Sequence, residues 1–338
     1  MLTRKTVAVF GGSGFVGRHL VRELASRGML VRVAVRNIES ANYLKVMGDV
    51  GQIVPIASDV GDKNKVSPVV EGADFVINLV GLLFESGNQN FDRVHIKAAS
   101  NIAEASAHYK VSKLIQISSV GASEKSESNY SVSKAIAEKK IREIYPSAIV
   151  LRPSIIFGPE DSFINLFASI ARFSPGLPVF GCSLFPKFEL FSKGRILNLD
   201  FFGEGGTKFQ PVYVGDVIKA IAKCLELGAA DGNTYELGGP RVLSTKELMQ
   251  MILGAIGRRR LLVPTPFWYL TLLASFLELL PRPLITKDQV KSLREDNVVS
   301  NNAQVLEDLD ISPTDLEAII PHYLLRFRKS NSGGLKSI

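Results

Sequence analysis

Tyr130 and Lys134 stand four residues apart in "NYSVSKAIAEKK", so on a helix both side chains share a face. A phenol ordinarily titrates near 10 and is a poor acid or base at neutral pH, while a nearby ammonium favours its phenolate. The pair therefore suits proton transfer at a substrate oxygen, and Lys134 is long enough to reach a cofactor ribose as well. With 8 tyrosines in the chain, such a spacing also arises by chance. Its weight comes from position: the helix follows an apolar run that ends in Ser118-Ser119, two hydroxyls able to hold a carbonyl oxygen.

A second set of residues lies near the start, in "VAVFGGSGFVGRHL". Gly11 permits a tight turn after a strand, Gly14 lets backbone approach a pyrophosphate, and Gly17 lets the following helix pack closely. Ser13, Phe15 and Val16 complete the turn, and the free N–H groups of the helix N-terminus would face the phosphates. The second apolar run ends in Val35-Arg36-Asn37, where an NAD site usually carries a carboxylate for the ribose hydroxyls. A guanidinium there suits the 2′-phosphate of NADP, and Arg18 is placed to join it. NADP(H) is thus the expected cofactor, with NAD(H) as the alternative. Asp59, in "ASDVGD", reads either as a partner for the adenine amino group or as a loop cap. Val60, Val80, Gly81 and Ser118 follow or end the neighbouring apolar runs and complete the expected cofactor-binding set.

The elements that must position these residues form an α/β pattern. Apolar runs at Val7–Phe10, Leu30–Val35, Ile53–Ala57, Phe75–Val80, Leu114–Ile117 and Ala148–Leu151 alternate with helical spacing such as Gly14–Arg27 and Asn90–His108. This alternation predicts a Rossmann-type, doubly wound parallel sheet covered on both faces, with right-handed crossovers. Residues 1–155 are expected to form the dinucleotide-binding domain, its sheet completed from the second half. Residues 156–328 form a smaller mixed portion for a substrate or partner, and 329–338 a disordered tail. The second half is broken by six prolines between Pro153 and Pro211, with helices expected at Val214–Leu227, Ser244–Ile256, Pro266–Leu280 and Pro313–Phe327. The aromatic, glycine-containing stretch Cys182–Phe209 reads as a hairpin or a long surface loop.

Composition narrows the function. The 338 residues are 46% hydrophobic and 22% charged, which supports a large core and argues against wholesale disorder. The net charge of +7 comes without zinc spacing or an arginine-rich arm, so nucleic acid is not expected as a partner. Cys182 and Cys224 form neither a metal pattern nor a disulfide framework and fit a reducing compartment. Four scattered histidines, His19, His95, His108 and His322, show no metal spacing. The first apolar run follows only six residues, so neither a signal peptide nor a transit peptide is expected: a bacterial protein or a mature form. "PFWYLTLLASFLELLPRP" is the most hydrophobic segment, with 14 residues between Pro266 and Pro281, too short for a span of about 20. It reads as a core helix, or as a helix that docks on a partner or a membrane surface.

The glycine turn, Asp59, the Ser-Ser strand end, "YSVSK" and "LRPSIIFGPED" resemble the extended short-chain dehydrogenase/reductases. Longer stretches, "SKAIAEKKIREIYPSAIVLRPSIIFGPEDSFINLFASIARFSP", "FQPVYVGDVIKAI", "YELGGPRVLSTKEL" and "LPRPLITKDQVKSLREDNVVS", are similar to an atypical branch: the nucleotide-binding accessory subunits of respiratory complex I and their bacterial relatives. The likeness runs over residues 5–325. It implies an NADPH-binding Rossmann domain in a subunit at the membrane periphery, on the cytoplasmic face of a bacterial inner membrane or the matrix side in mitochondria. The nucleotide there is structural rather than part of the electron path. The reductase side of the family implies Tyr130 as proton donor, Lys134 on the ribose and the phenol, and Ser119 as a substrate-oxygen ligand. Pro153 and Ser154 would line the nicotinamide end. An NADP-dependent reductase, epimerase or dehydratase acting on a carbonyl or nucleotide-sugar is the alternative function. The stretch Cys182–Thr207 is longer than the family's short loop, which leaves the substrate pocket as the part least fixed by the resemblance.

Overall fold

Seven strands build the central sheet: β1 (Thr6–Phe10), β2 (Leu30–Val35), β3 (Ile53–Ala57), β4 (Phe75–Asn78), β5 (Lys113–Ile117), β6 (Ile149–Pro153) and β7 (Thr234–Leu237). Their order is β7-β6-β5-β4-β1-β2-β3 and every pairing is parallel. The computed structural model describes residues 4–182, 187–190, 197–200, 202–281 and 283–328. The expected 329–338 tail and Arg282 lie outside them. All six apolar runs of the first half became strands. The seventh, β7, comes from the second half and pairs with β6 from Thr234↔Val150 to Leu237↔Pro153.

The doubly wound form follows from alternation along each strand. In β1, Val7 and Val9 point into one fully buried cluster, while Ala8 and Phe10 point into another on the opposite face. The first cluster is closed by α1 (Phe15–Ser26) and α6 (Val214–Glu226). The second is closed by α2 (Lys63–Val70), α3 (Ala98–His108) and α4 (Asn129–Ile144). Strand order reverses between β1 and β4, so a crevice opens beyond their carboxyl ends, where α/β sheets bind ligands.

A third apolar cluster lies away from the sheet. It joins α5 (Phe163–Phe173), α7 (Thr245–Ile256), α8 (Phe267–Leu277) and α10 (Leu316–Leu324). The four helices expected of the second half are all present, shortened by a few residues at their ends. A short helix, α9 (Lys287–Ser292), follows α8. Within Cys182–Phe209, Lys187–Leu190 pairs antiparallel with Leu197–Asp200, while residues 183–186, 191–196 and 201 of the expected hairpin or loop lie outside the described residues.

Only Leu270 and Ala274 of α8 are fully buried. Trp268, Tyr269, Leu272 and Phe276 are exposed, and Leu279 beyond the helix is 82% exposed. The core reading therefore holds for one narrow stripe of this helix and not for the rest. No helix among the described residues is long and apolar enough to cross a membrane.

Candidate functional site

The glycine turn sits at the mouth of the crevice. Gly11 adopts φ +80°, and a Cβ there would stand 3.0 Å from the Leu79 carbonyl carbon at the end of β4. A Cβ on Gly17 would stand 2.3 Å from the Gly11 oxygen, a contact no side chain tolerates. The Gly14 N–H donates to the Gly11 oxygen (3.1 Å), which folds the turn back on itself. Gly14 then caps α1 without any side-chain hydrogen bond. The N–H groups of Phe15, Val16 and Gly17 belong to the unpaired first turn that attracts anions.

The adenosine end is flanked by the ends of β2 and β3. Arg36 is exposed at the end of β2. Arg18 is half-buried in the first turn of α1, its Nε buried without a hydrogen-bond partner. The hydroxyl of Tyr43 donates to the Ser13 carbonyl (2.8 Å), and its ring lies 5.3 Å beneath the Arg18 guanidinium. Asp59 accepts the Gly61 N–H (3.0 Å) and an ion-paired bond from Arg93, so in this structure it caps its own loop. The neighbouring Val60 carbonyl accepts from Asn101 Nδ2 (2.9 Å).

The catalytic candidates converge at the other end. Ser118 Oγ and Ser119 Oγ, just past β5, are buried without hydrogen-bond partners. Tyr130 and Lys134 share a face of α4, with Lys134 Nζ 5.9 Å from the phenol ring centre. Burial pushes the Tyr130 phenol up, so it stays protonated at neutral pH; the adjacent Ser119 hydroxyl opposes that rise, short of forming a good hydrogen bond. Burial pulls Lys134 down from 10.5 to about 8, with Glu138, one turn on, working the other way. Its ammonium donates to the Ile117 carbonyl at 3.4 Å, a weak bond that leaves it free to bind a ligand. Val80 donates its N–H to Asn78 Oδ1 (3.0 Å). A Cβ on Gly81 would meet Lys134 Nζ at 3.2 Å and His95 Nε2 at 3.7 Å.

Sequence reasoning missed His95, which it counted among scattered histidines. It lies on a π-helical turn, Asp92–Lys97, that leads into α3, and it is 3% exposed. Nε2 accepts the Leu82 N–H (2.9 Å), so the proton sits on Nδ1, which donates to Ser133 Oγ (2.7 Å). Ser133 in turn donates to the Tyr130 carbonyl (2.7 Å). Phe91 stacks on the imidazole, and Tyr130 meets it edge-on at 5.5 Å between ring centres. Burial, helped by the charge of Lys134, holds the imidazole down at about 3, hence neutral. Its bonds tie the loop after β4 to the helix carrying Tyr130. Pro153 ends β6, paired with Leu237. Ser154 is buried, its hydroxyl donating to Asn297 Oδ1 (2.6 Å), so that group is occupied by the C-terminal portion.

That portion also grips α4 directly. Asp288 on α9 accepts the N–H of Asn129 (2.7 Å), the N–H of Tyr130 (3.0 Å) and the hydroxyl of Ser128 (3.0 Å). A carboxylate at this point satisfies the first orphan donors of the helix and complements its dipole.

The family profile described as "NAD dependent epimerase/dehydratase family" matches residues 7–238. The chain belongs to the NAD dependent epimerase/dehydratase family. Among its relatives is the NADH dehydrogenase [ubiquinone] 1 alpha subcomplex subunit 9 of Arabidopsis thaliana, 35% identical over 333 residues, covering 95% of this chain and 77% of the relative. A ceramide reductase of Caulobacter vibrioides is 37% identical over 177 residues, covering 52% of this chain and 54% of that protein. The solved UDP-glucose 4-epimerase of Thermotoga maritima superposes with a TM-score of 0.63 at 18% identity, covering 94% of this chain and 97% of that one. That likeness concerns the fold. Family membership supports a nicotinamide nucleotide as the ligand. The residues present fit one: a turn whose glycines leave room for phosphates, a buried unpaired Arg18 Nε at the adenosine end, and two unpaired serine hydroxyls near Tyr130.

Proposed function

We propose that this chain is an NADPH-holding accessory subunit of a complex I-like NADH:ubiquinone oxidoreductase, with the nucleotide serving mainly as a structural part. The observation that carries this reading is the extent of the likeness to the Arabidopsis subunit. It covers 95% of the chain and so includes residues beyond 238, where the family profile ends. Those residues contribute Asp288 and Asn297, which hold α4 and the loop after β6 in place. Residues 1–155 serve as the dinucleotide domain, with β7 completing its sheet, and 156–328 as the partner portion.

Preference for NADPH rests on Arg36 and Arg18, two guanidiniums at the adenosine end with no carboxylate at the end of β2. The exposed face of α8, flanked by Arg258, Arg259 and Arg260, serves to dock the subunit on its partners at the membrane surface. The working location is the periphery of the membrane, the cytoplasmic face in a bacterium or the matrix side in a mitochondrion.

The intact Ser119, Tyr130 and Lys134 set favours a second reading, an NADP-dependent reductase of a carbonyl or nucleotide-sugar substrate. When bound, the nicotinamide supplies a hydride. Tyr130, kept protonated by burial, would donate its phenolic proton to the carbonyl oxygen held by Ser119. Lys134 would orient the ribose and stabilise the phenolate left behind.

The test is the nucleotide content of the purified chain, with titrations of NADPH and NADH. The accessory reading expects NADPH released in near-equal amount to protein and no oxidation of it by carbonyl substrates. Arg36→Glu should lower the NADPH/NADH affinity ratio at least about tenfold, the scale of a charge-assisted phosphate contact. An unchanged ratio would refute the NADPH assignment.

A further inference from the structure

Tyr43 belongs to none of the residue patterns that mark the cofactor site, yet the structure places it against both the glycine turn and Arg18. It comes from the 3₁₀ segment Glu39–Met47 that follows β2 and packs against α1 and β3. Its hydroxyl reaches back across 30 residues to donate to the Ser13 carbonyl at 2.8 Å. Its ring lies 5.3 Å under the Arg18 guanidinium. Among the described residues, the carboxylate within 4 Å of that guanidinium is Glu160, whose Oε1 lies 3.8 Å from Arg18 while its Oε2 meets His19 at 2.8 Å. Arg18 therefore sits between the Tyr43 ring and a long ion pair with Glu160, and its buried Nε has no hydrogen-bond partner.

We infer that Tyr43 is a specificity-determining positioning residue: it presents the Arg18 fork to the 2′-phosphate of the bound nucleotide, opposite Arg36. The inference rests on the NADPH reading above. The phenol is locked to the phosphate-binding turn through Ser13, and the ring holds the guanidinium over its face through a cation–π contact at 5.3 Å. A flexible arginine would lose rotamer freedom on binding a phosphate; one already held against Tyr43 has lost it beforehand. NADH carries no group at that position, so it should feel the loss of Tyr43 only through the shared Ser13 turn, and less than NADPH does.

The test titrates the full-length protein with NADPH and NADH, and with 2′,5′-ADP against 5′-ADP as probes of the adenosine end alone. Tyr43→Ala should lower the NADPH/NADH affinity ratio about 5-fold, the scale of one partly exposed cation–π contact, and leave the NADH Kd within about 2-fold. The 2′,5′-ADP preference should fall in parallel. Tyr43→Phe keeps the ring and loses the Ser13 bond, so its ratio should fall between those of wild type and Tyr43→Ala. If Tyr43→Ala does not fold, Tyr43→Leu gives the same reading with the volume kept. An unchanged ratio, or equal weakening of both nucleotides, overturns the inference. Arg36→Glu separates the two claims. If it lowers the ratio while Tyr43→Ala does not, the role of Tyr43 fails alone. If neither variant moves the ratio, the NADPH reading fails with it.

Discussion

Replacing Asp288 with alanine tests whether the C-terminal portion holds the candidate site together. The carboxylate accepts three hydrogen bonds at the N-terminus of α4, two from backbone N–H groups at 2.7 and 3.0 Å and one from the Ser128 hydroxyl at 3.0 Å. Ser128 is the N-cap and is itself 1% exposed, so part of this network is shielded from water. The Ser128 cap stays in place, and losing a charged acceptor of backbone N–H groups costs about 1.5–3 kcal/mol. Water replaces part of that at the partly exposed Asp288, which leaves a net loss of about 2 kcal/mol. For a chain of this length, that lowers Tm by about 3 °C. Because Tyr130 and Lys134 ride on the same helix, NADPH should bind more weakly as well, by about 3- to 10-fold if α4 frays through its first turn. Differential scanning calorimetry and NADPH fluorescence titration read the two effects. Asp288→Asn keeps one acceptor oxygen and should recover about half of each. An Asp288→Ala protein with unchanged Tm and unchanged NADPH affinity would refute the claim that α9 positions α4.

Three further outcomes follow from the buried groups around Tyr130. Lys134 titrates at about 8 in the fold and at 10.5 when exposed, so between those values the unfolded chain binds more protons. Stability should therefore rise with pH through that window, by up to about 3 kcal/mol at 1.36 kcal/mol per pH unit. Lys134→Met should lose this rise in urea midpoints measured from pH 7.5 to 10.5. His95 titrates at about 3 in the fold against 6.5 when exposed, so stability should fall as pH drops below 6.5. His95→Gln should be less acid-sensitive than wild type, by about 2 kcal/mol between pH 7 and pH 4.5; an identical acid slope would show that the imidazole is not held neutral. Tyr130→Phe should leave NADPH affinity within about 2-fold, because the glycine turn and Lys134 remain in place to hold the nucleotide, and should abolish any carbonyl-dependent oxidation of NADPH. Retained turnover in Tyr130→Phe would remove the phenol from the chemistry.

What the sequence showed and what it hid divide along a physical line. The strands of the first half were legible because a parallel sheet buried on both faces demands unbroken apolar runs, and each run is bounded by turn residues. The glycine turn was legible because steric conflict at Gly11 and Gly17 admits no other residue. Tyr130 and Lys134 were legible because one helical turn sets their spacing. His95 was not, since its partners Leu82 and Ser133 lie 13 and 38 residues away and a π-helical turn aims it inward. Asp288 was hidden for the same reason at greater distance, capping a helix 158–160 residues earlier. Ser154 carries another distant partner: the family resemblance implies a place at the nicotinamide end, and its hydroxyl bonds Asn297, which no local pattern announces. The exposed stripe of α8 was ambiguous because a segment of 14 residues whose one charged residue is Glu278 leaves little polar face from which to read its orientation.

The central claim is that this chain works as a subunit and not as a free enzyme. The most direct measurement is a native gel of gently solubilised membranes from the source cells, probed for this chain and stained in the gel for NADH dehydrogenase activity. The account predicts that the chain migrates with the large active band. Migration as a small free species, with no share of that band, would contradict it.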